Sequence, residues 1–253
     1  MPAQVLTTSG IWMDSYDLSG QLRGVSLEHG VELADATTFG NTTRIHFPTT
    51  KRTRAQVEGL WSAAGAAGTG GAVAGGPDRP LFDNIALEGT IFSFAPVSTE
   101  GQPAYTFQAA QATYTFGGQF GGLLPFSASA EASTAPSLVR GTLLAKRTGL
   151  TSSGTTTKYQ VGAVTSGKVM YAALHVTSVS GTSPTLDVIV QSDPDSSAGG
   201  EANQITFSQA NATANRAQWS TTGVTTDTWW RTSYTIGGSA TPTFAFVVVV
   251  GIL

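Results

Sequence analysis

The side chains with the most chemical potential in this chain are three histidines, a few spaced carboxylates and one tryptophan pair. His29, His46 and His175 are the only imidazoles, and their spacing matches no metal motif. His29 and His175 fall inside strand patterns, where each reads as an ordinary strand residue with one nitrogen satisfied. Asp193-Pro194-Asp195 with Glu201 is oxygen-rich in the way that suits calcium. Its ligand order is not that of an EF-hand, so a solvated turn is expected. Glu28/Glu32 and Asp14/Asp17 are paired carboxylates of the type glycosidases use, but a pair without geometry is not a site. No G-x-S-x-G elbow, P-loop, H-E-x-x-H or dinucleotide glycine fingerprint occurs. Cys is 0, which excludes disulfides, thiolate metal sites and a cysteine nucleophile. The expectation is a protein that is not an enzyme, with no catalytic residues, no cofactor and no metal.

Trp229-Trp230-Arg231 carries a different kind of chemistry. Adjacent strand residues face opposite sides, so one indole should enter the core and the other face outward near Trp219. An outward ring can seal a subunit interface or stack on a sugar. Trp229 and Trp230 are therefore candidate interface aromatics.

Composition points the same way. The 253 residues allow one large β domain or two smaller ones. Only 11% are charged, with a net charge of −3, against about a quarter charged in an average soluble domain. With Gly 30 and many Thr, Ser and Ala residues, the surface is one of small polar groups suited to close protein contact. It is not basic enough to grip nucleic acid. The opening residues lack a basic segment followed by an apolar one, so no signal peptide is expected. No apolar run reaches about 18 residues, so no membrane insertion is expected. The run FAFVVVVGIL at Phe244 to Leu253 is short and β-branched, and reads as a buried strand.

The elements that must position these groups are mostly strands. Val25, Leu27 and His29 alternate with Ser26 and Glu28, continuing to Val31 and Leu33. Ala55, Val57 and Gly59 alternate with Arg54, Gln56 and Glu58. Further strands are predicted at 90–97, 105–107, 114–116, 170–179, 186–191, 229–236 and 243–252. Gly, Pro, Asn and Asp clusters, among them Gly181 to Pro184 and Gly237-Gly238, are predicted to end them. One short helix is predicted over Arg79 to Leu87, with Asp78 as N-cap and Leu81, Phe82, Ile85 and Ala86 as its apolar stripe. Residues 62–76 are glycine-rich and read as a mobile loop. YTFQAAQAT at 105–113 and ITFSQANAT at 205–213 are alike enough to leave a duplication open.

The most informative stretch is Tyr16 to Trp61, where two alternating strands flank a long polar connection. Compact domains rarely keep such connections. Val25-Ser26-Leu27, then Asp35-Ala36-Thr37-Thr38-Phe39-Gly40-Asn41, then Glu58-Gly59-Leu60-Trp61 resemble the tail tube (major tail) proteins of long-tailed bacteriophages. The resemblance covers about residues 15 to 130. It implies a mainly β, tail-tube-like barrel or sandwich with one short helix, and leaves open a duplication into two related β domains. The expected organisation is a tube-like domain at 1–135, with an arm at about 35–54, and a second β domain at 136–253 that repeats the tube unit or lies outside it.

The same resemblance implies a structural virion protein that polymerises into stacked rings, the tube through which the genome reaches the host. Partners would be the chain itself in rings of three or six, other tail proteins at the tube ends, and duplex DNA that passes without specific binding. The protein would be made in the host cytoplasm and reside in the virion tail. The arm, with Asp35, Thr37, Phe39, Asn41, Arg44, His46, Lys51 and Arg52, is the candidate for ring stacking, mobile alone and ordered on assembly. Glu28, Glu32 and Glu58 are candidates for the lumen or wall face. From a different class, a carbohydrate-binding β-sandwich or decoration protein on a virion or cell surface is also compatible with the exposed-Trp reading.

Overall fold

The computed structural model describes residues 8–39, 42–61, 77–197 and 199–253. The glycine-rich segment 62–76 lies outside the described residues. The chain is mainly β with one short helix. In the first half come β1 (Gly10–Met13), β2 (Tyr16–Asp17), β3 (Leu22–Asp35), β4 (His46–Leu60) and α1 (Asp78–Asp83). They are followed by β5 (Thr90–Ala95), β6 (Pro103–Phe116) and β7 (Pro125–Ala132). In the second half come β8 (Val139–Leu150), β9 (Gly154–Thr155), β10 (Tyr159–Gln160) and β11 (Met170–Asp193). The last are β12 (Ala202–Thr206), β13 (Ala210–Asn211), β14 (Ala217–Thr222) and β15 (Trp229–Ile252).

In the first half the strands run β3-β4-β7-β6-β5-β1-β2, all antiparallel. The core here is Ile11, Met13, Ala55, Val57, Phe92, Phe94, Phe107, Phe126 and their neighbours. The predicted alternation in β4 is present: Ala55, Val57 and Gly59 are buried while Arg54, Gln56 and Glu58 are exposed. On β4 one side packs on the core and the other meets solvent, the usual division in an antiparallel sheet, whereas β1 and β5 are buried on both sides.

In the second half β11 and β15 pair from Met170↔Ile252 to Asp193↔Trp229. The sequence suggested four separate strands here. The predicted breakers bend two long strands instead of ending them. The bend lies where the register shifts between Val176 and Thr185, with Gly181, Ser183 and Gly238 at positive φ. A Cβ at Gly238 would come within 2.7 Å of the Ser183 carbonyl oxygen, so the close crossing needs glycine there. The fold-over is visible in one contact: the Tyr234 and Phe246 rings, both on β15, meet edge-on with centroids 5.3 Å apart. The bent pair encloses its own core, which includes Leu174, Val188, Trp230, Phe244, Phe246, Val248 and Val250.

The helix is shorter than predicted, and its N-cap is Pro77 rather than Asp78. Asp78 instead accepts hydrogen bonds from Trp61 Nε1 at 2.8 Å and from the Tyr114 hydroxyl at 2.7 Å. A carboxylate already holding two ring donors is not free to cap. Of the expected stripe only Leu81 is buried, while Phe82 and Ile85 are exposed. The two similar segments differ in structure: 105–113 lies within the single strand β6, whereas 205–213 is divided between β12 and β13.

The halves meet along β15. Phe244, Phe246, Val248 and Val250 face the second core. Val247 and Val249 face a smaller cluster with Trp12, Ala95, Ala104 and Leu143, which brings in the first half. A strand buried on both faces reads as an unbroken apolar run. His175, fully buried on β11, completes the joint. Its Nδ1 donates to the Asp14 carbonyl at 2.7 Å and its Nε2 lies 2.8 Å from Ser93 Oγ. Both nitrogens are therefore partnered, where the sequence suggested one.

Burial lowers the His175 pKa from 6.5 to about 4. Between those values the unfolded chain binds a proton that the folded chain does not. Stability present above pH 6.5 is therefore lost as pH falls toward 4. Taking pH from 7 to 5 should cost about 2 kcal/mol, a range above ordinary carboxylate titration. Urea unfolding at the two pH values measures it, and His175→Gln should flatten the dependence; an equal dependence in that variant would refute the assignment. Val248→Asp should prevent folding altogether, because a lone buried charge costs several kcal/mol, roughly; a native circular dichroism spectrum would contradict this.

Candidate assembly surface

The groups that suggested chemistry do not converge. His29 Nδ1 lies 2.7 Å from Thr53 Oγ1, His46 is exposed at the start of β4, and His175 is in the joint. Among the described residues no group of His, Asp and Glu is placed to hold a metal ion. Asp14 Oδ1 accepts from the Ile91 amide at 2.8 Å, and burial raises its pKa despite that bond. Asp17 accepts from the Ser19 amide at 2.9 Å. Each carboxylate therefore serves backbone geometry, Asp14 at the start of β5 and Asp17 in the turn after β2.

Pro194 and Asp195 are exposed as a solvated turn should be, but the Asp193 carboxylate that opens it is withdrawn from water. Asp193 is 1% exposed, and Lys158 Nζ lies 2.7 Å from Asp193 Oδ2 and 3.0 Å from Glu201 Oε1. Arg231 Nη1 is 2.8 Å from the same Glu201 oxygen. The Lys158 hydrogen bond lowers the pKa of both Asp193 and Glu201. Burial works against the Lys158 ammonium, but bonding to the two carboxylates outweighs it and raises its pKa. Two carboxylates and two cations neutralise one another, so the Asp193 and Glu201 oxygens are already satisfied, while Asp195 Oδ1 accepts from the Ser197 amide at 2.7 Å.

Trp230 is fully buried and its Nε1 donates to the Gly162 carbonyl at 2.8 Å. It belongs to the subunit's own core and is not available to an interface. Trp229 is half-buried, and Trp219 lies instead against Tyr171, with centroids 5.8 Å apart.

What the first half does present is an open sheet with an ordered polar face. Among the described residues β3 pairs only with β4, and no other strand lies on its outer edge. On the far side, β6 pairs with β5 only as far as Ala109. Beyond the bridge from Ile85 to Gln111, residues 112–116 have no strand on that edge among the described residues. Strands β3, β4, β7 and the end of β6 thus form a four-stranded unit with an open edge on each side. Its solvent face runs in rows set by register: Glu28, Arg54 and Glu131; then Ser26, Gln56, Ser129 and Thr113. A third row holds Gly24, Glu58, Ser127 and Thr115. Glu28 and Glu58 share this face, while Glu32 lies beyond the end of β7. Sequence reading missed Thr113, Thr115, Ser127, Ser129 and Glu131, although ATYTF and FSASAEA alternate small polar with larger apolar residues.

The expected arm is not a loop. β3 and β4 remain paired out to Asp35↔His46, so Lys51 and Arg52 are strand residues and the connection spans only residues 36–45. The two polar faces hid this pairing, since no alternation marks a ribbon without a core. Asp35 Oδ1 closes the turn by accepting from the Thr37 amide at 2.9 Å and the Thr37 hydroxyl at 2.5 Å. These bonds, the hydroxyl one foremost, hold the Asp35 pKa below its ordinary value. Thr37 Oγ1 in turn accepts from the Ile45 amide at 3.0 Å. Gly40 and Asn41 lie outside the described residues.

β7 reaches β4 only as far as Arg54↔Glu131. Residues 46–53 therefore pair with β3 alone over about 25 Å at the rise of a strand; at their base Thr53 is buried, and Lys51 and His29 line a hollow with residues 132–138. Val31, Leu33, Phe39, Ile45 and Phe47 are exposed on this ribbon and its turn; Arg44 is exposed there too. At the opposite end of the same strands an open groove is lined by Arg23, Glu58, Leu60, Phe116 and Pro125, beside exposed Phe120 and Leu123.

No family model matches the sequence, and no curated protein matches it. Among solved structures, the chain is similar to one from the virion of a native gene transfer agent particle. Identity is 14%, coverage 53% of this chain and 96% of that one, and the TM-score 0.38. It is similar to the SPP1 tail tube at 11% identity, covering 53% and 76%, with a TM-score of 0.38. It is also similar to the SPP1 Dit protein, described as a hub adsorption apparatus of phages infecting Gram-positive hosts. There identity is 10%, coverage 98% and 100%, and the TM-score 0.35.

Replacing residues 36–45 by a two-residue turn should leave the melting temperature within a few degrees, because none of the described residues of the segment is buried. Thermal unfolding followed by circular dichroism tests this. A large drop would show that the ribbon supports the subunit fold.

Proposed function

We propose that this chain is a structural subunit that assembles into rings, and rings into the tube of a virus tail, with duplex DNA passing through the bore. The observation that carries the reading is the four-stranded unit with two open edges and one polar face. Free strand edges pair with other chains unless they are covered. Here the long β3 edge of one copy can pair with the 112–116 edge of the next. Such a head-to-tail contact repeats until the ring closes. Closure would join the polar faces into one continuous lining.

Ring size follows from strand geometry. At a spacing of about 4.8 Å and a tilt of about 40°, twelve strands from three copies enclose about 24 Å between backbones. Six copies enclose about 48 Å on the same geometry. Inward side chains take roughly 5 Å from each wall, half the spacing of packed sheets. A trimer therefore leaves ~14 Å, and a hexamer ~38 Å, by the same spacing. A duplex with grooves about 8 Å deep on either side cannot pass the first and fits the second. Six copies per ring is the proposed number.

The ribbon and the groove lie at opposite ends of the same strands, so a shift along the tube axis brings one copy's ribbon to its neighbour's groove. Burial of Phe39 and Phe47 in that contact would stack the rings. The second half has its own core and a different strand order, which supports placing residues 136–253 outside the wall rather than in it. Other tail proteins would cover the exposed edges and ribbons at the tube ends. Virion residence follows from this role, after synthesis in the host cytoplasm.

Negative-stain microscopy of the concentrated protein should show hollow rods with six subunits around each ring. Single rings that never stack would place the chain at a tube end, and a monomer at every concentration would refute assembly. Replacing residues 36–45 should give rings without rods. If that variant still forms long rods, the ribbon does not stack them.

A further inference from the structure

Two arginines stand at alternate positions of β4, Arg54 on the last row of the four-stranded unit and Arg52 just beyond it on the same face, where β4 continues with β3 alone. In a bore these are the groups most able to hold DNA. Arginine donates two parallel hydrogen bonds to phosphate, and every such contact adds salt-dependent affinity. Each arginine nevertheless faces a carboxylate. Arg52 Nη2 lies 2.8 Å from Glu28 Oε1, and Arg54 Nε lies 3.9 Å from Glu131 Oε1.

The register explains the arrangement. Arg54 sits directly between Glu28 on β3 and Glu131 on β7. Arg52 is opposite Gly30, which has no side chain, so it reaches along the strand to Glu28. All four side chains are about half or more exposed. Exposed pairs of this kind contribute little to stability, so folding does not account for their placement. The remaining charge in the rows, Glu58, accepts from Gln56 Nε2 at 3.2 Å and leaves the face slightly negative. The hydroxyls between the charges are also engaged, with Thr113 and Ser129 2.7 Å apart.

We propose that Glu28 and Glu131 mask Arg52 and Arg54 from nucleic-acid phosphate, making this face one over which a duplex slides without being held. The inference rests on the bore assignment above, and adds to it the residues that keep the bore from binding its cargo. Without the two carboxylates the same rows would present two uncompensated cations per copy.

The test uses the full chain in solution, where the face is accessible, with a fluorescently labelled short DNA duplex followed by anisotropy. The wild type should show no binding at about 50 mM salt. The Glu28→Gln/Glu131→Gln variant should bind at least about tenfold more tightly, with a log–log salt slope near −2 if about two phosphates are neutralised per copy. Adding Arg52→Gln and Arg54→Gln should abolish that gain. No gain in the first variant, or a gain that survives loss of the arginines, overturns the masking role. Microscopy of the same preparations separates the two ideas. Rods without a gain in DNA binding refute masking alone, whereas a wild type that never assembles removes the bore, and masking with it.

Discussion

The burial of both faces of the strand from Phe244 to Val250 is the constraint on which the rest of the structure depends. An antiparallel strand at a domain surface needs cover on one side only. This one is apolar on both, so two layers must close on it. The bent β11–β15 pair folds back over one face, bringing Tyr234 onto Phe246. Trp12, Ala95, Ala104 and Leu143 cover the other. Because those residues belong to β1, β5, β6 and β8, the two halves are joined through this strand. The neutral His175 adds directed bonds where apolar contact alone would leave register loose. The cost of that burial is an imidazole that cannot accept its proton at ordinary pH without loosening the joint.

That inner rigidity leaves the far side of the first half free to stay open. The same alternation that packs Ala55 and Val57 inward turns Arg54, Gln56 and Glu58 outward, and the register lines them up with Glu28, Glu131, Ser127 and Ser129. The unit is finished in depth and unfinished laterally, with an edge unpaired among the described residues on each side and a ribbon extending past the end of β7. A two-stranded ribbon is marginal in water by itself, and exposed apolar residues on it gain most from a neighbour. Charge is handled in two ways. Around Lys158 the charges are withdrawn from water and must neutralise one another there, whereas on the open face they remain hydrated and their pairing governs what the surface attracts.

Much of the fold was legible because burial writes itself into period. Ala55, Val57 and Gly59 against Arg54, Gln56 and Glu58 is a strand with one wet face, and FAFVVVV is a strand with none. The polar ribbon was not legible, since residues 46–52 lack the contrast between faces on which pattern reading depends. Gly181 to Pro184 and Gly237-Gly238 read as ends because glycine permits a stop and a bend alike, and only the packing of Phe246 on Tyr234 chooses between them. Asp193 looked like a solvated turn because its partners Lys158 and Glu201 are distant or unremarkable in sequence. Asp78 looked like a cap because its ring partners, Trp61 and Tyr114, arrive from two other strands.

By itself the sequence determined an all-but-helix-free chain, its main strands, its wet and dry faces, and the absence of the common catalytic and metal motifs. These depend on neighbours within a few residues, where side-chain period maps directly onto exposure. Only the tertiary structure decided which strands pair, that β3 and the end of β6 remain open, and which carboxylate meets each arginine. Those outcomes depend on register between segments tens of residues apart, and a shift of one residue would turn every such side chain to the opposite face.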